Sequence, residues 1–153
     1  MARIKVSIDI NAGCEEVFDA ATDLASWPDR IEAITRVEVL GEGPVGEGTV
    51  FRETRMMFGR EATEEMTIAT FERPHRYVTN ADSCGCDYVS TTTFTSTPEG
   101  TRMTLDFRGR PRTLVARLMT PIGWLFTGAL RRCVVRDFEN MKAHIESAGA
   151  DRS

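Results

Sequence analysis

The N-terminal part of the chain alternates between apolar and polar side chains. Ile4, Val6, Ile8 and Ile10 share one side of an extended segment, and polar residues occupy the other side. Because side chains in a β-strand point alternately to opposite faces, a period of two predicts a half-buried strand over residues 3–10.

Helical patterns are expected at two places. Two short helices should follow the first strand: residues 14–21, which are acidic in the first turn as the helix dipole favours, and a second helix with Ser26 as its N-cap. Near the C-terminus, apolar residues step by three and four, which predicts one stripe of a long amphipathic helix. Thr120 followed by Pro121 predicts that this helix kinks or begins afresh there, and Gly149 predicts its end. The stripe consists of Leu118, Ile122, Leu125, Phe126, Leu130, Val134, Phe138, Met141 and Ile145.

The middle of the chain has only strand and turn patterns. The predicted strands are residues 35–40, 49–57, 60–71, 76–81, 87–96 and 102–108. Short turns rather than helices join them, so the sheet should be antiparallel. The chain is therefore predicted to be one α+β domain over residues 1–153, in which a curved seven-stranded antiparallel sheet surrounds a long C-terminal helix and two short helices lie between strands 1 and 2.

Composition narrows the function classes. The chain has 153 residues, of which 41% are hydrophobic and 27% charged, as is typical of one globular domain. A net charge of −4 argues against nucleic-acid binding through a basic field. With no apolar leader at the N-terminus, we expect a cytoplasmic location and reduced thiols. The four cysteines are scattered, and we expect no metal site and no cofactor.

Several short motifs occur in a characteristic order. They are IDINA at residues 8–12, EVF at 16–18, WP at 27–28, VEVL at 37–40, GEGTVFR at 46–52, FERP at 71–74, Phe94, and GTRMTL at 100–105. In this order, over residues 3–147, the sequence resembles the START-like, birch-pollen-allergen-like (SRPBCC) superfamily. Within it, the sequence is similar to the bacterial polyketide cyclase/dehydrase and lipid transport group. The resemblance implies a helix-grip fold with a ligand cavity, but the superfamily includes both carriers and enzymes, so it implies no single chemistry.

Strand alternation then predicts which side chains face such a cavity. The sheet face turned toward the helix should carry the ligand-binding residues, and the stripe of the helix should close the cavity. The predicted ligand-binding residues are Trp27, Phe51, Glu53, Arg55, Glu64, Met66, Ile68, Tyr77, Thr79, Tyr88, Ser90, Thr92, Phe94, Met103, Leu105, Phe107, Leu118, Ile122, Leu125, Phe126 and Leu130. For the aromatic residues Phe58, Trp124 and Phe126, packing in the core is favoured over a place at an apolar cavity mouth.

The hairpin turn at Phe58-Gly59 gives a sharper expectation. With a loop of two residues, Glu53 lies opposite Glu64 on the cavity side, and Arg52 lies opposite Glu65 on the outer face. Facing carboxylates repel each other, so one pKa should rise unless the neighbouring Arg55 neutralises the pair. A three-residue loop or a bulge would instead turn Glu53 to solvent.

Three function classes remain open. The first is a binding protein for a small hydrophobic or aromatic molecule, either monomeric or homodimeric. The second is a polyketide aromatase/cyclase or dehydratase, in which Glu53 or Glu64 moves protons and Arg55 or Tyr88 polarises a carbonyl. The third is a protein that binds a partner or a membrane surface through Trp124 and the arginines near Arg131, which would require an exposed apolar patch.

Overall fold

A computed structural model describes residues 2–151. Its seven strands form one antiparallel sheet in the order β1-β7-β6-β5-β4-β3-β2, so β1 and β2 are the two edges. The strands are β1 (Ala2–Ile10), β2 (Ile34–Leu40), β3 (Val50–Met57), β4 (Arg60–Glu72), β5 (Arg76–Ser83), β6 (Cys86–Thr97) and β7 (Gly100–Pro111). The helices are α1 (Cys14–Thr22), α2 (Trp27–Arg30), α3 (Leu114–Leu118) and α4 (Thr120–Asp151), with a 3-10 turn over Leu24–Ser26. The predicted seven-stranded antiparallel sheet, the two short helices and the long C-terminal helix are confirmed.

The hydrophobic core is concentrated where α1 and α2 cover one end of the concave sheet face. Phe18 of α1 is fully buried, and its ring meets those of Phe71 and Phe94 edge-on, each at 5.1 Å between centroids. Trp27 donates from its indole Nε1 to the carbonyl of Ala21 at 3.1 Å, which satisfies the polar atom of a buried indole. Side-chain packing thus fills this end of the sheet, and the other end stays open.

Polar contacts fix α4 along the edge strand β1. The guanidinium of Arg131 donates to the carbonyl of Lys5 at 2.8 Å, and the ammonium of Lys142 donates to the carbonyl of Asp9. An unpaired strand edge exposes backbone groups that could pair with another chain. These two contacts occupy part of that edge and hold the helix in line with the strand.

The C-terminal helical region differs from the prediction in two details. A separate short helix, α3, comes first, and the hydroxyl of Thr113 caps it by accepting a hydrogen bond from the amide of Ala116. The long helix then begins afresh at Thr120, which was one of the two alternatives predicted from Thr120-Pro121. The expectation that Gly149 ends the helix is wrong, because α4 continues to Asp151.

The β3–β4 hairpin has the predicted two-residue loop. Phe58 and Gly59 both adopt positive φ, 53° and 76°, as a two-residue turn compatible with the strand twist requires. Glu53 consequently lies opposite Glu64 in the ladder. On the outer face, Arg52 forms the expected pair with Glu65, with 3.1 Å between Nε and Oε2.

Candidate functional site

A cavity of about 360 Å³ lies between the open end of the concave sheet face and the middle of α4. Most of its wall is apolar, and a smaller group of polar side chains comes from β3, β5, β6 and α4. This volume lies toward the lower end of the roughly 300–1,000 Å³ of known small-molecule sites.

Many of the predicted ligand-binding residues lie on the cavity wall. They are Trp27, Phe51, Glu53, Arg55, Glu64, Met66, Tyr77, Thr79, Tyr88, Ser90, Thr92, Met103, Leu105, Phe107 and Leu130. Their location follows from the face of the sheet or helix on which they stand, and their contact with a ligand stays a prediction.

Two predicted sheet residues are packed away from the cavity. Ile68 and Phe94 are only 1% and 4% exposed and belong to the core beneath α1. They stand on the expected face of the sheet, but the rings and aliphatic side chains of α1 cover that part of it. Alternation identifies the face and not which part of the face remains uncovered.

The predictions for Leu118, Ile122, Leu125 and Phe126 are wrong in position. All four side chains are exposed, and Leu125 is 81% exposed. The apolar stripe runs along both α3 and α4, but the stripe residues that reach the cavity begin only at Leu130. The expectation that Phe58, Trp124 and Phe126 pack in the core is also wrong, because Phe58 lies in the β3–β4 hairpin loop and the two others lie on the uncovered first turns of α4. Phe58 and Phe126 contact each other at 5.6 Å between centroids, and both remain more than half exposed.

A buried charge cluster forms the polar part of the cavity wall. Arg55 of β3 donates from Nε to Oε1 of Glu53 at 2.6 Å and from Nη1 to Oδ2 of Asp137 at 2.9 Å. All three side chains are less than one-fifth exposed. Oδ1 of Asp137 is buried and has no hydrogen-bond partner among residues 2–151. The site therefore contains a carboxylate oxygen with unused hydrogen-bonding capacity.

Burial and neighbouring charges shift the pKa values of two of these groups, Arg55 and Asp137. Burial alone would lower the pKa of Arg55, but the carboxylates of Glu53 and Asp137 outweigh it and raise that pKa, so the guanidinium stays charged. Burial raises the pKa of Asp137, and the negative charge of Glu53 adds to this, against the opposing effect of Arg55. The carboxyl of Asp137 therefore holds a proton more tightly than an ordinary aspartate does.

The two facing glutamates have different surroundings. Glu53 is buried and held by Arg55, which is the neutralised arrangement that the sequence left open. Glu64 lies on the cavity wall but is exposed to solvent, toward the end of the β3–β4 hairpin. Of the two, Glu64 is the one accessible to both the cavity and water.

The two tyrosines also differ. The ring of Tyr88 stacks on Phe107 with 5.5 Å between centroids, and burial raises the pKa of Tyr88 to about 12, so its hydroxyl stays protonated. Tyr77 is hydrogen-bonded to Thr92 and its ring stacks on Phe94. Tyr77 is therefore mainly a packing residue, whereas Tyr88 presents a ring at the cavity surface.

Several residues of the cavity wall were not among those predicted from the sequence. These are Ala21, Ile31, Ile34, Met57, Ala62, Val134, Asp137, Phe138 and Met141. Val134, Phe138 and Met141 belong to the predicted stripe, but nothing in the sequence distinguished them from its exposed members. Asp137 is adjacent to Phe138, which places it beside the stripe. Only the position of β3 opposite this turn of α4 gives Asp137 its partner.

A metal-binding cluster and a membrane-spanning helix are both absent from the described part of the chain. Residues 2–151 contain no cluster of three side chains suited to hold a metal ion. Over the same residues, no helix is both long and apolar enough to span a bilayer.

This fold, a curved antiparallel sheet around a long C-terminal helix with a cavity between them, is the helix-grip fold of the START and birch-pollen-allergen-like proteins. The chain belongs to the family described as polyketide cyclase / dehydrase and lipid transport, whose model matches residues 1–146. The predicted family and fold are therefore confirmed. No curated protein matches the chain in sequence.

Solved structures share the fold at low sequence identity. The di-domain ARO/CYC StfQ from the steffimycin biosynthetic pathway has a TM-score of 0.78 at 14% identity over 97% of this chain. This chain spans only 52% of StfQ. A START superfamily protein from Mycobacterium smegmatis has a TM-score of 0.74 at 12% identity, covering 94% of this chain and 98% of its own. Ara h 8.0201 has a TM-score of 0.67 at 16% identity, covering 95% and 98%.

Proposed function

We propose that this protein binds a small, largely hydrophobic molecule with at least one polar group, in the cavity between the sheet and α4. The observation that carries the proposal is the buried Asp137 oxygen without a partner beside Arg55, in an otherwise mainly apolar cavity. Ligand pockets usually combine an apolar lining with a few polar groups that fix orientation. The family and the fold are consistent with binding of this kind.

The cavity walls suggest how such a ligand would be held. Its apolar body would lie against residues such as Met103, Leu105 and Phe138, and its hydroxyl or carbonyl would face the charge cluster. When Asp137 is ionised it accepts a hydrogen bond from a ligand hydroxyl, and when it is protonated it donates one to a carbonyl. A purely aliphatic ligand would leave Oδ1 of Asp137 unpaired, which is unfavourable in a buried site.

The test uses neighbouring residues on opposite faces of β6. Ser90 lies on the cavity wall, whereas Val89 is exposed on the outer face. Binding is measured with the fluorescent probe 1-anilinonaphthalene-8-sulfonate, followed by competition with a panel of fatty acids and aromatic phenols. Ser90→Phe should abolish probe binding by filling the cavity, and Val89→Phe should leave it unchanged.

Two outcomes would overturn the binding proposal. One is equal probe binding by both variants, because the probe would then sit outside the cavity. The other is a panel in which no compound displaces the probe or raises the melting temperature. A true ligand at a hundred times its dissociation constant stabilises the fold by about 2.7 kcal/mol, which should raise the melting temperature by several degrees.

A second candidate function is supported by the proton-accepting character of Asp137. In a cyclase, Asp137 would donate its proton to a ketone oxygen while the exposed Glu64 removes a proton from a methylene group farther along the same chain. The methylene carbon then bonds to the ketone carbon, the carbonyl π bond breaks, and the ketone oxygen becomes a hydroxyl. In the dehydration that follows, Glu64 returns its proton to the hydroxyl, which leaves as water, and Asp137 takes the second proton of the methylene carbon, so both carboxyls regain their starting states. Arg55 would stabilise the developing negative charge. The similarity in fold between this chain and the ARO/CYC protein StfQ is consistent with this candidate.

A poly-β-ketone thioester is the discriminating probe. An enzyme would convert it to a product lighter by one water, detected by mass spectrometry. Glu64→Gln would then reduce turnover by about a hundredfold or more, with little effect on probe binding. A binding protein would release the thioester unchanged, with wild type and Glu64→Gln giving the same result.

A further inference from the structure

An exposed apolar surface lies outside the cavity, at α3 and the first turns of α4. We define this α3–α4 patch by Leu114, Leu118, Ile122, Trp124, Leu125 and Phe126. All six side chains are exposed, Trp124 to 69% and Leu125 to 81%. Concentrated exposure of large apolar side chains in a soluble fold marks an interaction site.

The charged side chains of the chain segment that carries the α3–α4 patch are all of one sign. Residues 107–136 contain seven arginines and no aspartate or glutamate, although the whole chain carries a net charge of −4. Two of these arginines, Arg108 and Arg112, are paired with aspartates from outside the segment. Arg117 and Arg132 form no ion pair with any residue between 2 and 151. Arg131 donates to the neutral carbonyl of Lys5, which leaves its charge uncompensated. The patch is therefore suited to a partner that is both apolar and anionic.

Helix geometry arranges the apolar and basic groups in layers. Trp124 and Arg131 are seven residues apart on α4, as are Leu125 and Arg132. A separation of seven residues is nearly two full turns, so each pair shares a face with an axial offset of roughly 10 Å. The apolar side chains therefore lie at one level along the helix axis, and the arginines lie about 10 Å farther along. This spacing matches a lipid surface, in which the phosphate layer lies outside the boundary of the acyl chains.

A second copy of the chain and a different protein both fit the α3–α4 patch less well than a lipid surface does. A second copy joined patch to patch would bring two sets of arginines together without acidic partners, because a two-fold interface uses the same surface twice. Protein interfaces usually anchor aromatic side chains in pockets. A side chain as exposed as Leu125 stands out from the surface, and a bilayer can accept it without a preformed pocket.

We propose that the α3–α4 patch docks on an anionic lipid bilayer. Trp124 and Leu125 insert at the boundary between head groups and acyl chains, and Arg117, Arg131 and Arg132 contact lipid phosphates. Each arginine near an anionic surface adds to the attraction, which weakens as salt screens it. The proposal concerns the outer surface and does not depend on what the cavity binds.

Flotation of the full chain with vesicles tests the proposal. Binding is expected to phosphatidylcholine vesicles that contain phosphatidylglycerol, and not to phosphatidylcholine alone, and it should decrease at high salt. Leu125→Glu should abolish binding. Arg117→Glu with Arg132→Glu should weaken it by about tenfold or more. All these residues are exposed, so the variants should fold, as melting curves will show.

Matched controls separate the patch from general adhesion. Val89→Glu on the outer sheet face and Arg36→Glu on β2 change comparable exposed residues outside the patch and should leave binding unchanged. Equal binding to neutral and anionic vesicles, or none to either, overturns the proposal. So does an effect of Arg36→Glu as large as that of the patch charge reversals. Vesicle-independent dimers that Leu125→Glu dissociates in sedimentation velocity would assign the patch to a second copy instead.

Discussion

Arg55 of β3 and Asp137 of α4 are joined by a hydrogen bond of 2.9 Å between Nη1 and Oδ2, across the cavity from sheet to helix. The same guanidinium also holds Glu53 on its own strand. One cation thus serves two buried carboxylates and connects the two walls of the site.

Replacing Arg55 should lower the free energy of unfolding substantially. Arg55→Met leaves Glu53 and Asp137 buried without a cation, and breaking a buried ion pair from one side typically costs about 3–5 kcal/mol. Arg52→Met on the same strand, β3, is the control, since it removes an exposed arginine paired with Glu65 of β4 and should cost less than about 1 kcal/mol. Urea unfolding measures both. Adding Asp137→Asn to Arg55→Met should recover part of the loss, and strict additivity of the two changes would contradict the coupling.

The pH dependence of stability should contain an unusual contribution from Asp137. Because its folded pKa is raised above the ordinary value of about 3.9, the folded state holds the proton more tightly than the unfolded state. Its contribution therefore falls as pH rises from about 4 through the folded pKa. Asp106 has the opposite sign, because hydrogen bonds from Arg3 and Arg108 hold its pKa well below the usual range. Its contribution is present above the unfolded pKa and is lost as pH falls.

Two asparagine variants separate these contributions. Relative to wild type, Asp137→Asn should become comparatively more stable as pH rises above about 4. The loss of unfolding free energy caused by Asp106→Asn, relative to wild type, should be smallest at the lowest pH. Chemical denaturation across a pH series measures both differences. A flat difference curve for Asp137→Asn would mean that its pKa is the same in the folded and unfolded states.

Gly100 should be intolerant of a side chain. A Cβ built at this position lies 2.3 Å from the carbonyl oxygen of Ile10, which is backbone and cannot rotate away. Gly100→Ala should therefore destabilise the fold by about 1–3 kcal/mol. Gly46→Ala is the matched control, since its Cβ would meet no atom within 4 Å. Equal melting temperatures for the two variants would show that the β1 and β7 ends can separate at little cost.

Gly109 should control the position of the Tyr88 ring. A Cβ at Gly109 would lie 3.0 Å from that ring, so Gly109→Ala must displace it. A displaced ring that raises the free energy of the probe complex by one or two kcal/mol relative to the free protein would weaken binding of 1-anilinonaphthalene-8-sulfonate by roughly 5–30-fold. In a Tyr88→Ala background the same glycine change should have no further effect on affinity. A full effect in that background would locate the disturbance elsewhere.

The sequence by itself determined the seven strands, their antiparallel pairing and the cavity-facing side of most of them. Alternation is a local property, and a two-residue loop at Phe58-Gly59 was one of the alternatives that the sequence left open. The structure has this loop, which places Glu53 opposite Glu64. The apolar stripe similarly predicted a long helix. These features depend on neighbours along the chain or on one adjacent strand.

Only the tertiary structure decided which parts of those faces are covered. Leu125 and Leu130 belong to the same stripe, yet Leu125 is exposed and Leu130 lies on the cavity wall, because their surroundings depend on which part of α4 lies over the sheet. Asp137 could not be distinguished from other polar helix residues until β3 placed Arg55 beside it. Burial and charge pairing arise from segments far apart in sequence, and they set the proton affinity of Asp137 and hence the chemistry available to the cavity.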